Sequence, residues 1–399
     1  MNEHYYIITQ ATSGFSATET ASIAAKGLRA QDRKAKVKQY PLTDGGDGTI
    51  EHIVTSSLGS FLEVEATGAD GEQLVVPLGF SGENGTIGVI EMKQIAAEPS
   101  QTVKPSGKKG KGLKFVGTTY GIGELIQDCL DEGAFSIILG WDEPLARDAG
   151  FGMAQALGIK FLDKDSNELD FKKETPIHEV RSIDLTSRPF PLLSSRFYVA
   201  RSASVTHPKS KGQLSVDDTL IEDELSRIAD ILKKDNNISI NVSSLRSGGS
   251  YIDFALTAFL NAEIKDGAML SLEASQLQSS LLTNPGTIFF FGERIEDIAS
   301  EKASAAAKEV IRLASEAKCP LVIVTEESAK PASVTRYKGK IPELVGVYSL
   351  ADVPLFVEPL AADAPQAERR RIMQMRIEKL SMRMLDELTQ MQISEILKS

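Results

Sequence analysis

Thr43-Asp44-Gly45-Gly46-Asp47-Gly48-Thr49 joins an extended segment to a helix-like one, and His52 follows shortly after. The stretch is rich in glycine and carboxylate, so it is poorly suited to packing a hydrophobic core. Glycine lets the backbone approach a ligand closely, while Asp and Thr supply oxygen ligands and hydrogen-bonding groups. At a strand-to-helix junction such a loop suits phosphate, Mg²⁺ or a polyol. The alternative is a tight turn that only joins two elements.

The segments before and after this loop predict a doubly wound α/β domain. Tyr5–Ile8 has the pattern of a buried strand, and Ser16 with Glu19 forms a capping-box pattern that opens a helix. Lys36–Leu42 alternates like a strand, and Ile50–Leu58 continues as a helix. The order β-α-β-loop-α is typical of doubly wound sheets.

The same α/β pattern returns near the end of the chain. Thr287–Phe291, Leu321–Val324 and Val345–Tyr348 have strand patterns, and Glu301–Ala317 is an alanine-rich helical segment. We therefore expect both chain ends to build one Rossmann-like domain, with the middle inserted as a second α/β domain. The predicted boundaries are 1–62 plus 280–365 for the Rossmann-like domain, 63–279 for the inserted domain and 366–399 for a long C-terminal helix.

The C-terminal helix has an apolar face. Ile377, Leu380, Met384, Leu388 and Met391 follow one another at spacings of three or four residues. We expect this face to pack on the protein's own body. A dimer contact is the alternative, since methionine-rich faces adapt to partners.

The bulk composition limits the function classes. A length of 399 residues favours two domains, and a net charge of −11 argues against binding to nucleic acid or to acidic membranes. Cys129 and Cys319 lie in helical or apolar patterns and are expected to be reduced thiols. The start of the sequence lacks the pattern of a signal peptide and no apolar run is long enough to span a bilayer, so a cytoplasmic location is expected. Four scattered histidines and two isolated cysteines argue against a zinc site.

Several motifs together resemble a known family. The loop Leu42–Thr49 resembles the ADGGEGT loop of the bacterial glycerate kinase type I family, and Gly88–Met92 resembles its IEMA strand. Further matching stretches, in the same order along the chain, are Phe15-Ser16-Ala17 with Glu19 and Ala21, Thr118–Leu125 beside TTYGTGELI, and Asp148–Gly158 with Phe161–Asp163 beside DGGAGMLQALGARFLD.

The resemblance implies a Rossmann-like domain with an inserted α/β domain, and transfer of the γ-phosphoryl group of ATP to D-glycerate with Mg²⁺. That chemistry depends mostly on positioning and charge neutralisation. It also implies a small hydroxy-acid substrate and a monomer or homodimer. The residues implied are catalytic Asp44, Asp148 and Arg294, a Mg²⁺ ligand at Asp47, and substrate- or phosphate-binding Gly45, Gly46, Gly48, Thr49, Thr118, Thr119 and Gly121.

The chain also departs from the family pattern at four places. The PDSFKGS-like loop becomes Ile8–Gly14, which carries no charge. The GGSATNDGG segment becomes Asp142–Gly150, which adds two carboxylates and a proline without an N–H donor. These carboxylates would repel anionic substrates unless a metal or Arg147 offsets them. The CDVDNPL segment appears as Arg201–Val205 with two acids missing, and TGEGRLD is reduced to 292–296 with Arg294 kept.

Two hypotheses fit this combination of matches and departures. The protein is a kinase of glycerate or a related hydroxy acid with a rearranged site, or it is a catalytically impaired paralogue that binds a ligand or regulates. A dinucleotide-binding enzyme is disfavoured because the first βα turn lacks G-x-G-x-x-G. The basic segment Lys104–Gly112 predicts a flexible loop, with an anion-binding lid as the alternative.

Overall fold

The computed structural model describes residues 4–12, 14–57, 59–81, 85–97, 117–142, 145–172, 176–202, 205, 216–245, 250–292, 294–301, 303–327, 337, 339–354 and 365–396. The chain forms two compact units. The terminal unit comprises Met1–Thr43 and Ala268–Ser399, and the middle unit comprises Asp44–Gly267. The Lys104–Gly112 segment, Glu143 and Pro144 lie outside the described residues.

The elements within the described residues alternate between strands and helices. The strands are β1 (His4–Thr9), β2 (Lys36–Pro41), β3 (Ser60–Thr67), β4 (Gln73–Ser81), β5 (Ile87–Glu91), β6 (Ser136–Trp141), β7 (Lys160–Leu162), β8 (Ser182–Asp184), β9 (Arg196–Arg201), β10 (Glu263–Asp266), β11 (Thr287–Gly292), β12 (Leu321–Thr325) and β13 (Leu344–Ser349). The helices are α1 (Ala17–Gln31), α2 (Thr49–Ser56), α3 (Met92–Ala96), α4 (Tyr120–Asp131), α5 (Phe151–Ala156), α6 (Phe190–Ser194), α7 (Val216–Asn236), α8 (Asp253–Leu260), α9 (Gly267–Ala274), α10 (Leu277–Thr283), α11 (Ile295–Ile298), α12 (Ala305–Ala317) and α13 (Gln366–Ile396).

The terminal unit is built on a five-stranded parallel sheet in the order β13-β12-β11-β1-β2. Its central strands are apolar on both faces, as expected for a sheet covered by helices on both sides. Ile8 and Phe290 face a core shared with α10 and α12, while Ile7 and Phe289 face a core shared with α1 and α13. The predicted Rossmann-like fold is confirmed. The capping box at the start of α1 is confirmed too, with both of its hydrogen bonds present.

The C-terminal helix α13 packs on α1 within the same unit. Ile377, Leu380, Met384 and Leu388 are buried there, which confirms the predicted intramolecular packing for these four residues. The prediction was wrong for Met391, whose side chain is 47% exposed.

The middle unit contains a six-stranded mixed sheet in the order β10-β9-β6-β5-β4-β3. Strands β5, β6, β9 and β10 are parallel, whereas β3 and β4 add an antiparallel edge. The carboxyl ends of the parallel strands therefore share one edge of the sheet, where ligands bind in open α/β sheets. Strand β9 was not predicted, because Arg196 and Arg201 at its ends hide the buried Phe197 and Val199 between them.

The division between the units differs from the predicted boundaries at 62 and 279. Helix α2 belongs to the middle unit because it packs on β4, where a Cβ on Gly79 would lie 2.6 Å from Val54 and 2.8 Å from Ile50. The units therefore meet along the chain at Thr43 and at Gly267. Cys129 and Cys319 are free and buried, in agreement with the predicted thiols. No helix in the described ranges combines the length and the apolar character that crossing a bilayer requires.

Candidate functional site

The glycine-rich loop lies against the carboxyl edge of the middle sheet. Gly45 has a φ of +106°, and a Cβ on it would lie 1.9 Å from the carbonyl oxygen of Ala200 in β9. A Cβ on Gly267 would lie 1.8 Å from the carbonyl oxygen of Asp44, and one on Gly140 of β6 would lie 2.9 Å from that of Gly45. Side chains at these glycines would push the loop away from the strands. Glycine is therefore needed for this close approach.

Two carboxylates flank Gly46, one from the loop itself and one from the residue that follows β6. Asp44 accepts hydrogen bonds at Oδ1 from the Gly46 N–H (3.1 Å) and at Oδ2 from the Ser202 hydroxyl (2.7 Å). A Cβ on Gly46 would lie 3.2 Å from Asp44 Oδ1 and 3.5 Å from Asp142 Oδ2. Asp142 in turn pairs with the Lys93 ammonium at 2.8 Å. We call Asp44, Gly46, Lys93, Asp142 and Ser202 the edge cluster.

The start of helix α2 is capped by a carboxylate of the chain itself. Glu91, at the end of β5, accepts hydrogen bonds from the Ile50 N–H (2.8 Å) and from the Gly48 N–H. Burial raises the pKa of Glu91, and the nearby charge of Asp47 raises it further. The N–H donors of this helix start, which favour an anion, are thus directed at Glu91.

Thr49 and Gly48 are two of the loop residues that were predicted to bind phosphate. Thr49 donates to the Gly46 carbonyl through its hydroxyl (2.6 Å) and its N–H (3.3 Å). Gly48 has a φ of +86°, and open space surrounds the position of its missing Cβ. The loop presents the carboxylates of Asp44 and Asp47 beside these groups. Its binding to phosphate stays a prediction.

Asp148 is fully buried and accepts four hydrogen bonds. Its Oδ2 accepts from the N–H of Thr119 (2.8 Å), the hydroxyl of Thr119 (2.9 Å) and the N–H of Gly152 (3.1 Å), and its Oδ1 accepts from the N–H of Gly150 (2.9 Å). Burial raises the pKa of Asp148, and these donors oppose the shift. The carboxylate joins the start of α4 to the start of α5, so its contacts define a positioning residue. Direct catalysis by Asp148 stays a prediction.

The stretch that Asp148 holds is also buried. Thr118 donates from its hydroxyl to the Phe171 carbonyl (2.8 Å), and the Tyr120 N–H donates to that hydroxyl (3.1 Å). A Cβ on Gly121 would lie 2.0 Å from the Thr67 carbonyl oxygen. Packing and internal hydrogen bonds are therefore sufficient to explain the small and hydroxyl-bearing residues at these positions. The predicted substrate contacts of Thr118, Thr119 and Gly121 are not tested by them.

Arg294 belongs to the terminal unit, whereas Asp44 and Asp148 belong to the middle unit. Its side chain is 57% exposed and pairs with Asp297 (2.9 Å) and Glu327 (3.5 Å). Both partners of this arginine are therefore carboxylates of its own unit. Its predicted catalytic role stays a prediction.

A metal site was predicted at Asp47. Among the described residues, no group of three or more His, Cys, Asp or Glu side chains is arranged to hold a metal ion. Mg²⁺ commonly takes only one or two protein carboxylates together with substrate phosphates. Asp47 and Asp44 supply oxygens of that kind, so the donor chemistry fits Mg²⁺.

Sequence reasoning missed Glu91, Lys93 and Ser202. Each lies at or just after the carboxyl end of a parallel strand, the edge at which ligands bind in such sheets. That rule would have singled out Glu91 and Lys93 after β5. It could not identify Ser202, because strand β9 had not been predicted.

His52 is buried on α2, and neither of its ring nitrogens has a hydrogen-bond partner among the described residues. Burial lowers the pKa of His52 from 6.5 to about 4. The unfolded chain therefore binds a proton that the native state does not bind, and stability should fall as the pH decreases from about 6.5 to about 4. We expect His52→Leu to make the difference in unfolding free energy between pH 7 and pH 4.5 about 2 to 3 kcal/mol smaller.

Urea unfolding at the two pH values measures this effect. Ile53→Val is a matched control on the same helix, since it does not titrate and should cost about 1 kcal/mol at both pH values. An unchanged pH dependence in His52→Leu would show that His52 does not cause the acid sensitivity.

The fold and the edge cluster define an α/β protein whose polar groups gather at the carboxyl ends of parallel strands. The Glycerate kinase family model matches residues 12–374, and the chain belongs to the glycerate kinase family. Glycerate 2-kinase of Escherichia coli K12 is 30% identical over 278 residues, which are 67% of this chain and 70% of that protein. Glycerate kinase of Halalkalibacterium halodurans is 29% identical over 271 residues, 65% of this chain and 69% of the other.

The fold also has a solved counterpart. A crystal structure of a candidate glycerate kinase 2 from Salmonella typhimurium LT2 superimposes with a TM-score of 0.72. It covers 98% of this chain and 99% of its own chain at 22% identity, so it supports the fold alone. The resemblance found in the sequence motifs is thus confirmed at the level of the family.

Proposed function

We propose that the protein transfers the γ-phosphoryl group of ATP to D-glycerate or a closely related hydroxy acid. Family membership and the names of the curated relatives support this activity. The observation that carries it is the glycine-rich loop, whose Asp44 carboxylate is held by Ser202 and Gly46 at the carboxyl ends of the parallel strands of the mixed sheet.

In the proposed reaction the acceptor hydroxyl oxygen forms a bond to the γ-phosphorus of ATP. The bond from that phosphorus to the β,γ-bridging oxygen breaks, which yields phosphoglycerate and ADP. The hydroxyl proton passes to a base, a role that requires a proton-accepting side chain within hydrogen-bond reach of the hydroxyl. Asp44 is the candidate, because two hydrogen bonds fix the direction of its oxygens.

Charge neutralisation is the second requirement of phosphoryl transfer. Mg²⁺, when bound, would neutralise charge on the phosphates, and Asp47 carries the oxygens that would hold it. Asp148 acts through its neighbours, since it fixes Thr119 at the start of α4.

A second candidate function is that of a catalytically impaired paralogue that binds a hydroxy acid or regulates. One observation in the edge cluster favours this second function. Ser202 stands where the family motif CDVDNPL has an acid, and it donates to Asp44. A missing charge at a phosphoryl-transfer site typically costs orders of magnitude in rate.

The activity is tested by measuring ADP formation in a coupled assay with ATP, Mg²⁺ and D-glycerate. We expect turnover that requires both Mg²⁺ and D-glycerate, and a reaction without D-glycerate is the control for ATP hydrolysis. The absence of glycerate-dependent turnover at high protein concentration would rule the kinase out. Raised melting temperatures with glycerate, ATP, ADP or phosphate would then support the impaired paralogue, since ligands that bind only the native state stabilise it.

A further inference from the structure

Two departures from the family pattern meet in one ion pair. Lys93 follows Met92, where the IEMA motif has alanine, and Asp142 stands at the first glycine of GGSATNDGG. These residues are distant in sequence, yet the Lys93 ammonium lies 2.8 Å from Asp142 Oδ2. The added lysine and one of the two added carboxylates are thus partners.

The pair lies beside the loop that carries Asp44. The missing Cβ of Gly46 would lie 3.5 Å from Asp142 Oδ2 and 3.2 Å from Asp44 Oδ1, so the Asp142 oxygen that pairs with the Lys93 ammonium also lies beside the loop. The Lys93 side chain keeps 32% of its surface exposed, whereas Asp142 is only 14% exposed. The lysine is therefore the more accessible member of the pair, and Asp142 is the less exposed one.

The carboxylates around the loop disfavour an anionic ligand unless a positively charged side chain binds it. Asp44, Asp47 and Glu91 are carboxylates, and the N–H groups of Gly48 and Ile50 are directed at Glu91. A hydroxy acid carries its own carboxylate, which this surrounding would repel without an offsetting positive charge. An ammonium supplies three N–H donors on a flexible stem, which suits a carboxylate ligand.

We propose that Lys93 is a specificity-determining residue that binds the carboxylate of the acceptor, and that Asp142 positions its ammonium. This inference rests on the proposed function, because it assigns the recognition of the acceptor in the same site. It predicts that Lys93 distinguishes hydroxy acids from uncharged polyols.

The competing explanation is that Lys93 only neutralises Asp142. Three variants separate the two: Lys93→Met removes the charge and keeps the stem, Lys93→Arg keeps the charge, and Lys93→Met/Asp142→Asn removes both charges. If Lys93 binds the acceptor, the double variant stays impaired. If Lys93 only offsets Asp142, the double variant recovers activity.

We expect Lys93→Met to lower kcat/KM for D-glycerate roughly 10- to 100-fold, the scale of a hydrogen bond between charged groups. The loss should appear mainly in the KM for D-glycerate, with the KM for ATP unchanged and the preference for D-glycerate over glycerol reduced, and Lys93→Arg should recover part of it. Lys26→Met, which removes a lysine paired with Glu378 in the terminal unit, is the matched control. Unchanged kinetics in Lys93→Met, or recovery in the double variant, would overturn the inference while the proposed function stands.

Calorimetric titration with D-glycerate alone distinguishes failure of the proposed function from failure of the role assigned to Lys93. If the wild type shows no turnover but binds D-glycerate, the proposed function fails, and weaker binding by Lys93→Met supports the inference. Equal binding by the wild type and Lys93→Met overturns the inference. A wild type that neither turns over nor binds D-glycerate overturns both.

Discussion

Asp148→Ala is expected to lower the free energy of unfolding by about 4 kcal/mol, because it leaves several buried donors without an acceptor. The carboxylate is fully buried and serves the N–H groups of Thr119, Gly150 and Gly152. Each buried donor left unpaired costs about 1 to 3 kcal/mol, and water does not reach this position to replace the lost bonds. The measurement is urea unfolding at pH 7.

Asp163→Ala is the matched control for this variant. Asp163 also accepts several hydrogen bonds, from the N–H groups of Asp165 and Asn167 and from the Asn167 amide, but these hydrogen bonds are exposed to solvent. Water replaces those bonds, so its loss of stability should be much smaller. Similar losses in the two variants would contradict the assigned positioning role. If Asp148→Ala does not fold, Asp148→Asn provides the comparison, since it keeps one acceptor and should unfold at a lower urea concentration than the wild type.

Asp44→Asn is expected to reduce kcat/KM roughly 100- to 10,000-fold, the range over which a positioned general base contributes. The amide oxygen still accepts a hydrogen bond from Ser202 or Gly46, so the loop should keep its conformation and the melting temperature should change little. The coupled ADP assay and a thermal unfolding curve measure both effects.

Asp184→Asn is the control for the loss of charge in a turn. Asp184 accepts from the N–H of Thr186 two residues ahead, as Asp44 accepts from Gly46, but it is the last residue of β8 in the two-stranded sheet of β7 and β8. Its kinetics should match the wild type. Full activity in Asp44→Asn would remove Asp44 from the proposed mechanism.

The terminal unit could be predicted because its central strands have apolar patterns that are recognisable in the sequence alone. Leu321–Val324 and Ile288–Phe291 are continuous apolar runs, which are typical of parallel strands buried on both faces. Ser16 and Glu19 mark the start of α1 by a local pattern whose hydrogen bonds form between near neighbours. Local signals of this kind need no knowledge of the tertiary structure.

The unit to which α2 belongs could not be predicted in the same way. Ile50 and Val54 would fit either core by composition, and their packing on Gly79 depends on a strand that comes later in the chain. Strand β9 was missed for a related reason, since its pairing with β6 is a long-range contact.

The site was predicted in part. The loop at Asp44 was found from its glycines and carboxylates, and the structure brings it to the carboxyl edge of a sheet. A motif gives only the residue type, however, so the sequence could not separate a carboxylate that holds helix starts, such as Asp148, from one that faces a ligand. The pairing of Lys93 with Asp142 was equally hidden, because it joins the ends of two strands that only the fold brings together.

The most direct test of the proposed kinase activity is to detect phosphoglycerate itself by ³¹P NMR in a mixture of the protein with ATP, Mg²⁺ and D-glycerate. Wild-type protein and Asp44→Asn are compared at equal concentration. We predict a phosphomonoester signal that grows with time as ATP is lost in the wild type, and a strongly reduced rate in Asp44→Asn. The absence of that signal with folded wild-type protein, or equal rates in the two proteins, would contradict the account.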